Sequence, residues 1–315
     1  MNREPCTKGT AGHSASETRP GRHATGRGSP TTDHGVEVGT LYVVATPIGN
    51  LADLSPRARD VLGEVGCVLA EDTRRIRKLL SHFKIRTPVR SLREHNEARE
   101  VPRLLAELVA GSELALVSDA GTPLLADPGY RLVRACREQG VPVLTIPGPS
   151  AVSAAVAVSG LPPTPFTFGG FLPPKAGSRG TALDAFALLP HTLVLFLSPH
   201  RLALELAACA AHLGQEREAA LLAELTKVHE RCVRGTLAEL AAWAARETPR
   251  GEYTLVVGPP APASLTPPSP EVARGAVEEA SARGLDRAGA LREVARRLGV
   301  TRKELYTLLT RRGGR

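Results

Sequence analysis

This chain has no long apolar run, few aromatic residues and no paired cysteines, and each shortage closes off a class of answer. The most apolar stretch, residues 151–161, is interrupted by Ser and Gly and is too short to span a bilayer. The first residues, MNREPCTKGT, lack the apolar segment of a secretory signal. Phe, Tyr and Trp make up only 3% of the residues, so a core has to be built from Leu, Val and Ala. The five cysteines (Cys6, Cys67, Cys136, Cys209, Cys232) are odd in number and form no C-x-x-C pair, which argues against a disulfide framework and a cysteine metal site. There is no H-E-x-x-H and no Walker A sequence, and no metal is expected. No G-x-G-x-x-G follows the first strand-like run, which weakens the ordinary Rossmann readings, dinucleotide-binding and methyltransferase alike. The expectation is a soluble cytoplasmic protein with no membrane partner.

What is present centres on residues 114–151. An apolar strand, Leu114 to Val117, runs into the loop Ser118-Asp119-Ala120-Gly121-Thr122-Pro123. A helix follows with Leu132, Val133, Ala135 and Cys136 on one side. A second strand, Val141 to Ile146, ends in Pro147-Gly148-Pro149-Ser150-Ala151. This is a β-loop-α-β-loop unit of a parallel sheet. Ligands of open α/β sheets sit at the carboxyl ends of the strands, so both loops are expected in one pocket floor.

The remaining chain extends the pattern. Residues 1–38 are rich in Gly, Ser, Thr and Pro with almost no large apolar residues, and are expected to be a disordered extension. Residues 39–160 alternate strand and helix. Leu41 to Ala45 leads into Thr46-Pro47-Ile48-Gly49-Asn50, and Ser55-Pro56 starts a helix. Cys67 to Ala70 leads into Glu71-Asp72-Thr73-Arg74-Arg75. The Pro-rich residues 161–176 read as a linker and 177–258 as a second α/β domain. Another Pro-rich linker, 259–274, precedes a basic helical module at 275–315.

The net charge of +8 is concentrated at that end: residues 281–315 carry ten basic and three acidic side chains. Ala290, Leu291, Val294, Ala295 and Leu298 show helical spacing. Thr301 with Glu304 reads as the capping box of a further helix bearing Leu305, Leu308 and Leu309. Two short basic helices around a Gly turn suit a helix-turn-helix contact with nucleic acid, or equally a hairpin packed on the body or on a second subunit.

The strings LYVVATPIGNLADLSPRA (41–58), AEDTRRIRKLL (70–80), VSDAGTPLLADPG (117–129), IPGPSA (146–151), LFLSPHRL (195–202) and ELTKVHER (224–231) together resemble the tetrapyrrole methylase family, in particular its branch acting on ribosomal RNA. The resemblance implies two α/β domains with S-adenosyl-L-methionine (SAM) in the cleft between them and assembly as a homodimer. It also implies methylation of the 2′-hydroxyl of a decoding-centre cytidine in 16S rRNA of the small ribosomal subunit. It places Pro47, Ala120, Gly121, Thr122, Leu125, Ser150, Ala151, Leu197 and Leu225 at the cofactor. Where tetrapyrrole enzymes read G-G-D-P, this chain reads Ala120-Gly121-Thr122-Pro123, so Thr122 would offer a hydroxyl in place of a carboxylate. Two other readings stand beside it: a tetrapyrrole C-methyltransferase, and a non-enzymatic RNA-binding protein working through the terminal helices. The missing G-G-D-P and the basic tail speak against the first, and the intact loops against the second.

Direct methyl transfer to a hydroxyl needs alignment and a proton acceptor. His95 and Asp72 are the candidate general bases. Asp72 is equally placed to cap the helix that follows it, and so is His95. Arg74, Arg75, Lys227, Arg296, Arg297, Arg302 and Lys303 are the candidate RNA contacts.

Overall fold

The computed structural model describes residues 38–187, 189–260, 269–282, 286–298, 300 and 302–310, the side chains of Arg292, Arg296, Arg297 and Arg302 excepted. The expected disordered extension, apart from Val38, lies outside the described residues, as does the capping residue Thr301.

The first half is a doubly wound parallel sheet. In chain order it holds β1 (Leu41–Val44), α1 (Pro56–Glu64), β2 (Cys67–Ala70), α2 (Thr73–His82), β3 (Val89–Ser91), α3 (Glu94–Val109), β4 (Leu114–Val117), α4 (Tyr130–Glu138), β5 (Val143–Ile146) and α5 (Ala151–Val158). The strand order is β3-β2-β4-β1-β5, all parallel. Alternation along the strands divides the core between two faces. Val68 and Ala70 pack with α1 and α2 through Ala58, Leu62 and Ile76. Cys67 and Leu69 pack with α3 and α4 through Leu104, Leu108 and Leu132. Because every strand runs the same way, the loops after β1, β2, β4 and β5 all emerge on one edge.

The second half is a mixed sheet. It adds β6 (Phe166–Phe171), α6 (Ala176–Ala187), β7 (Thr192–Leu197), α7 (Leu202–Leu213), β8 (Glu218–Ala223), β9 (Arg231–Thr236), α8 (Leu237–Ala244) and β10 (Tyr253–Val257). The strand order is β6-β7-β10-β8-β9; β6 is parallel to β7 and the other pairs are antiparallel. Helices α6, α7 and α8 cover one face. The other face receives α5, whose Val152, Ala155 and Val156 pack with Ile48 and with Val194, Leu222 and Val256 of this sheet. The buried stripe of α5 meets both halves, while Ser153, Ala157 and Val158 are exposed.

Two expected boundaries shift. Residues 161–176 are not a plain linker, since they contain β6, the edge strand of the second sheet. The prolines bracket Phe166-Thr167-Phe168 without entering the strand, so the ladder keeps its donors. The terminal module holds three helices, α9 (Pro270–Ala282), α10 (Arg287–Arg297) and α11 (Arg302–Thr310), and α9 begins inside the stretch read as the second linker. The three share a core of their own, including Ala273, Ala280, Val294 and Leu305.

Candidate active site

Loops from both halves enclose a cavity of about 290 Å³, close to the lower end of the ~300–1,000 Å³ typical of small-molecule sites. Its floor is fixed by hydrogen bonds between the loops after β1, β4 and β5. The backbones of Thr46 and Gly121 exchange N–H···O bonds of 2.9 and 3.0 Å. The fully buried Thr46 hydroxyl donates to the Ser118 carbonyl at 3.1 Å, and the Ser118 hydroxyl donates to the Gly121 carbonyl at 2.9 Å. The Thr122 hydroxyl donates to the Pro149 carbonyl at 3.1 Å. Every one of these polar groups is satisfied, so the floor is rigid before any ligand arrives.

Strain marks the same region. Leu124 and Ala126 have φ of 72° and 70°, on either side of Leu125. Glu224 and Thr226, at 53° and 66°, likewise bracket Leu225. Non-glycine residues in this conformation cost on the order of 1–3 kcal/mol each and persist where the surroundings enforce them.

Of the residues expected at the cofactor, Ala120, Gly121, Thr122, Leu125, Ser150, Ala151 and Leu197 line the cavity. Pro47 and Leu225 do not. Pro47 is buried, and its neighbour Ile48 takes the lining position. Leu225 is buried against Gly49, in the seam where the Asn50 N–H donates to the Thr226 hydroxyl at 3.1 Å. Neither candidate base lines the cavity. The Asp72 carboxylate caps α2, accepting from the Arg74 N–H at 2.8 Å. That backbone bond, the largest influence, and nearby Arg75 and Arg74 hold its pKa below the ordinary value. His95 is exposed on the first turn of α3, and the box closing that helix uses Asn96, which accepts from the Arg93 N–H at 2.7 Å.

The candidate RNA contacts divide. Arg75 lines the cavity mouth, with Nε 3.9 Å from Asp119. Arg74 and Lys303 are exposed. Lys227 is committed elsewhere, bridging Glu224 at 2.7 Å and Glu252 at 3.1 Å. The Arg296, Arg297 and Arg302 side chains lie outside the described residues.

Sequence reasoning misses the carboxylates. Glu71, Asp119 and Asp127 all line the cavity. Asp119 also fixes the neighbouring loop, accepting from the Asp72 N–H at 3.0 Å. Burial, with the charges of Glu71 and Asp119 adding to it, pushes the Asp127 pKa up to about 7. Asp119 and Asp127 both stand in VSDAGTPLLADPG; the available signal is two acids in a loop already assigned to the site. From the second half, Phe171, Phe196 and Tyr253 complete an apolar wall. No metal-binding group of His, Cys, Asp or Glu occurs among the described residues. No described helix is long and apolar enough to cross a membrane.

Two α/β halves close on a cleft whose floor is built from loops at strand ends, the arrangement of a methylase-type fold. The chain belongs to the tetrapyrrole methylase family: the model of Tetrapyrrole (Corrin/Porphyrin) Methylases matches residues 40–241. Among curated relatives, a Ribosomal RNA small subunit methyltransferase I from Synechocystis is 44% identical over 86% of this chain and 97% of its own length. Proteins of the same name from Mesorhizobium japonicum and Escherichia coli O157:H7 are 50% and 47% identical, each over 70% of this chain and 75% and 77% of their own lengths. Among solved structures, a diphthine synthase aligns with a TM-score of 0.57 at 17% identity, over 70% of this chain and 89% of that one. A uroporphyrin-III-C-methyltransferase from Thermus thermophilus aligns at 0.50 and 24%, over 70% and 94%. At these identities the two structures speak for the fold alone.

Proposed function

We propose that this protein is a SAM-dependent methyltransferase that modifies the ribose 2′-hydroxyl of a decoding-centre cytidine in 16S rRNA of the small ribosomal subunit. The observation that carries the reading is the composition of the cleft, and the names of the relatives supply the substrate class. The residues present suit SAM. Leu125, Leu197, Phe171 and Phe196 offer apolar surface for adenine. Ser150 forms no side-chain cap on α5, which leaves the first N–H groups of that helix for a carboxylate. Glu71 and Asp119 suit the ammonium and sulfonium charges. Gly121, at φ 84°, keeps the floor open: a Cβ there would stand 3.2 Å from Ile48 Cγ2.

When bound, SAM supplies an activated methyl group on sulfur, so that no covalent enzyme intermediate is required. The chain's own part is to align the acceptor oxygen, exclude water and accept the hydroxyl proton. Arg74 and Arg75, beside the cleft, and the basic terminal helices serve as phosphate contacts. Lys227 is withdrawn from that role because two carboxylates hold it. The proposal keeps the homodimer that the family resemblance implies, and places the enzyme in the cytoplasm.

Incubation with tritiated SAM and either unmodified small subunits or a reduced tetrapyrrole tests the assignment. Label on RNA supports it. Label on the tetrapyrrole alone would replace it with C-methylation. SAM binding by calorimetry separates both from a non-enzymatic RNA-binding protein.

A further inference from the structure

A second cavity of about 440 Å³ adjoins the first. The two share a wall made of Glu71, Ala126 and Asp127. On its outer side the second cavity carries Tyr130, 64% exposed, and the exposed Arg131, both at the start of α4. Loop and helix are locked together here, because buried Glu97 of α3 accepts from the Arg131 and Leu132 N–H groups at 2.8 and 3.2 Å. An exposed aromatic ring and a guanidinium lining one cavity are groups suited to hold an unstacked base and its phosphate.

We propose that this second cavity receives the acceptor nucleoside, its base on Tyr130 and its phosphate at Arg131, and that Asp127 in the shared wall is the general base. The inference rests on the function proposed above and names the group that reading lacks. The ribose O–H bond breaks with its proton passing to an Asp127 carboxylate oxygen. The oxygen's electron pair forms the new bond to the methyl carbon. The carbon–sulfur bond breaks with its pair remaining on sulfur, which leaves as the neutral thioether.

Asp127 is suited by its surroundings. Glu71 and Asp119 face it from the ends of β2 and β4, Glu94 and Glu97 from α3, and Glu252 from across the first cavity. Arg75 and Arg131 are the positive groups on the same walls, and Arg75 lies toward Asp119. With its pKa near 7 the carboxylate is half ionised at neutral pH and basic enough to accept a proton in the transition state. A raised pKa places the active, ionised form above about pH 7, so the rate should fall as pH drops through that value.

The test is single-turnover methyl transfer to unmodified small subunits as a function of pH, for the full-length wild type, Asp127→Asn and Asp127→Glu, with SAM affinity measured alongside. The expected result is a loss of about 10²–10⁴-fold in Asp127→Asn, with its acid limb gone and SAM affinity within about threefold. Asp127→Glu should keep an acid limb and recover part of the rate. A loss in Asp127→Asn below tenfold, or the same acid limb as wild type, would overturn the proposal. So would loss of SAM binding in both variants, which would make Asp127 a residue of the cofactor site. Absence of RNA labelling by the wild type is a separate outcome and counts against the substrate assignment. Tyr130→Ala should raise the RNA KM more than it lowers kcat; an unchanged KM would remove the second cavity from the acceptor path.

Discussion

The Thr122 hydroxyl donates its proton to the Pro149 carbonyl at 3.1 Å and so ties the loop after β4 to the loop after β5. By sequence, Thr122 takes the place of an aspartate and is expected to offer its hydroxyl to the cofactor. In the structure that proton holds the floor of the cleft together, and only the oxygen lone pairs face a ligand. Thr122→Val keeps the shape and removes the bond. It should weaken SAM binding by up to about tenfold, the worth of one hydrogen bond of roughly 0.5–1.5 kcal/mol. Calorimetric titration checks this; an unchanged affinity would mean the loops hold their places without the bond.

Gly49 joins the halves. A Cβ there would meet the Lys227 side chain and lie 2.9 Å from the Leu225 carbonyl oxygen. Gly49→Ala should push the seam apart, lowering SAM affinity more than it lowers the melting temperature. Equal affinity would show that the seam yields freely.

Gly129 ends the loop that carries Asp127. Its φ is 126°, and a Cβ would collide with Leu116 Cδ2. Gly129→Ala should cost about 1–3 kcal/mol in a urea melt, with methyl transfer falling because Asp127 sits two residues away. A variant as stable as wild type would show that Leu116 repacks.

Arg90 holds Glu107 by two hydrogen bonds of 2.8 and 2.6 Å. The Arg90 bonds, the largest influence, hold the Glu107 pKa below its ordinary value. A depressed carboxylate contributes stability that is present above its unfolded value and lost as pH falls through the folded one. Glu107→Gln should therefore be about 1 kcal/mol less stable than wild type at neutral pH. The gap should close below the ordinary glutamate value of about 4.3. Urea melts at both ends of that range test it, and a gap independent of pH would contradict it.

Reversing the charges of Arg296, Arg297, Arg302 and Lys303 together should weaken RNA binding in proportion to the number of phosphates these side chains neutralise. Each phosphate left without its cation makes the slope of log affinity against log salt shallower by about 0.7–0.9. Filter binding over a salt series reads this directly; an unchanged slope would assign the terminal helices to protein packing.

The strand and helix periods and the Gly/Pro loops are legible in the sequence because each depends on local pattern; the seven lining residues from Ala120 to Leu197 are reached through the family resemblance, which the loops support. The strand β6 is hidden by its prolines, which flank it without interrupting it. β3 is hidden by its length of three residues. Neither candidate base lines the cavity, and for Asp72 the reason is physical. Asp72 and His95 each carry a capping alternative in the sequence, and for Asp72 the structure takes it, because a carboxylate one residue before a helix is drawn to the N–H groups of that helix. Asp127 gives no such local cue. Its raised pKa comes first from burial and then from Glu71 and Asp119, none of which can be read from the local sequence. The pairing of Lys227 is likewise invisible in sequence, since Glu252 reaches it from a distant part of the chain.

The most direct measurement is transfer of tritium from labelled SAM to unmodified small subunits, followed by alkaline hydrolysis of the RNA and mapping of the labelled position. A methyl group on a ribose 2′-oxygen blocks cleavage at its own phosphodiester, so label should appear in an alkali-stable dinucleotide containing cytidine from the decoding centre. Label in mononucleotides would place the methyl on a base, and no label in RNA, with SAM bound, would place it on another acceptor; either result would contradict the account.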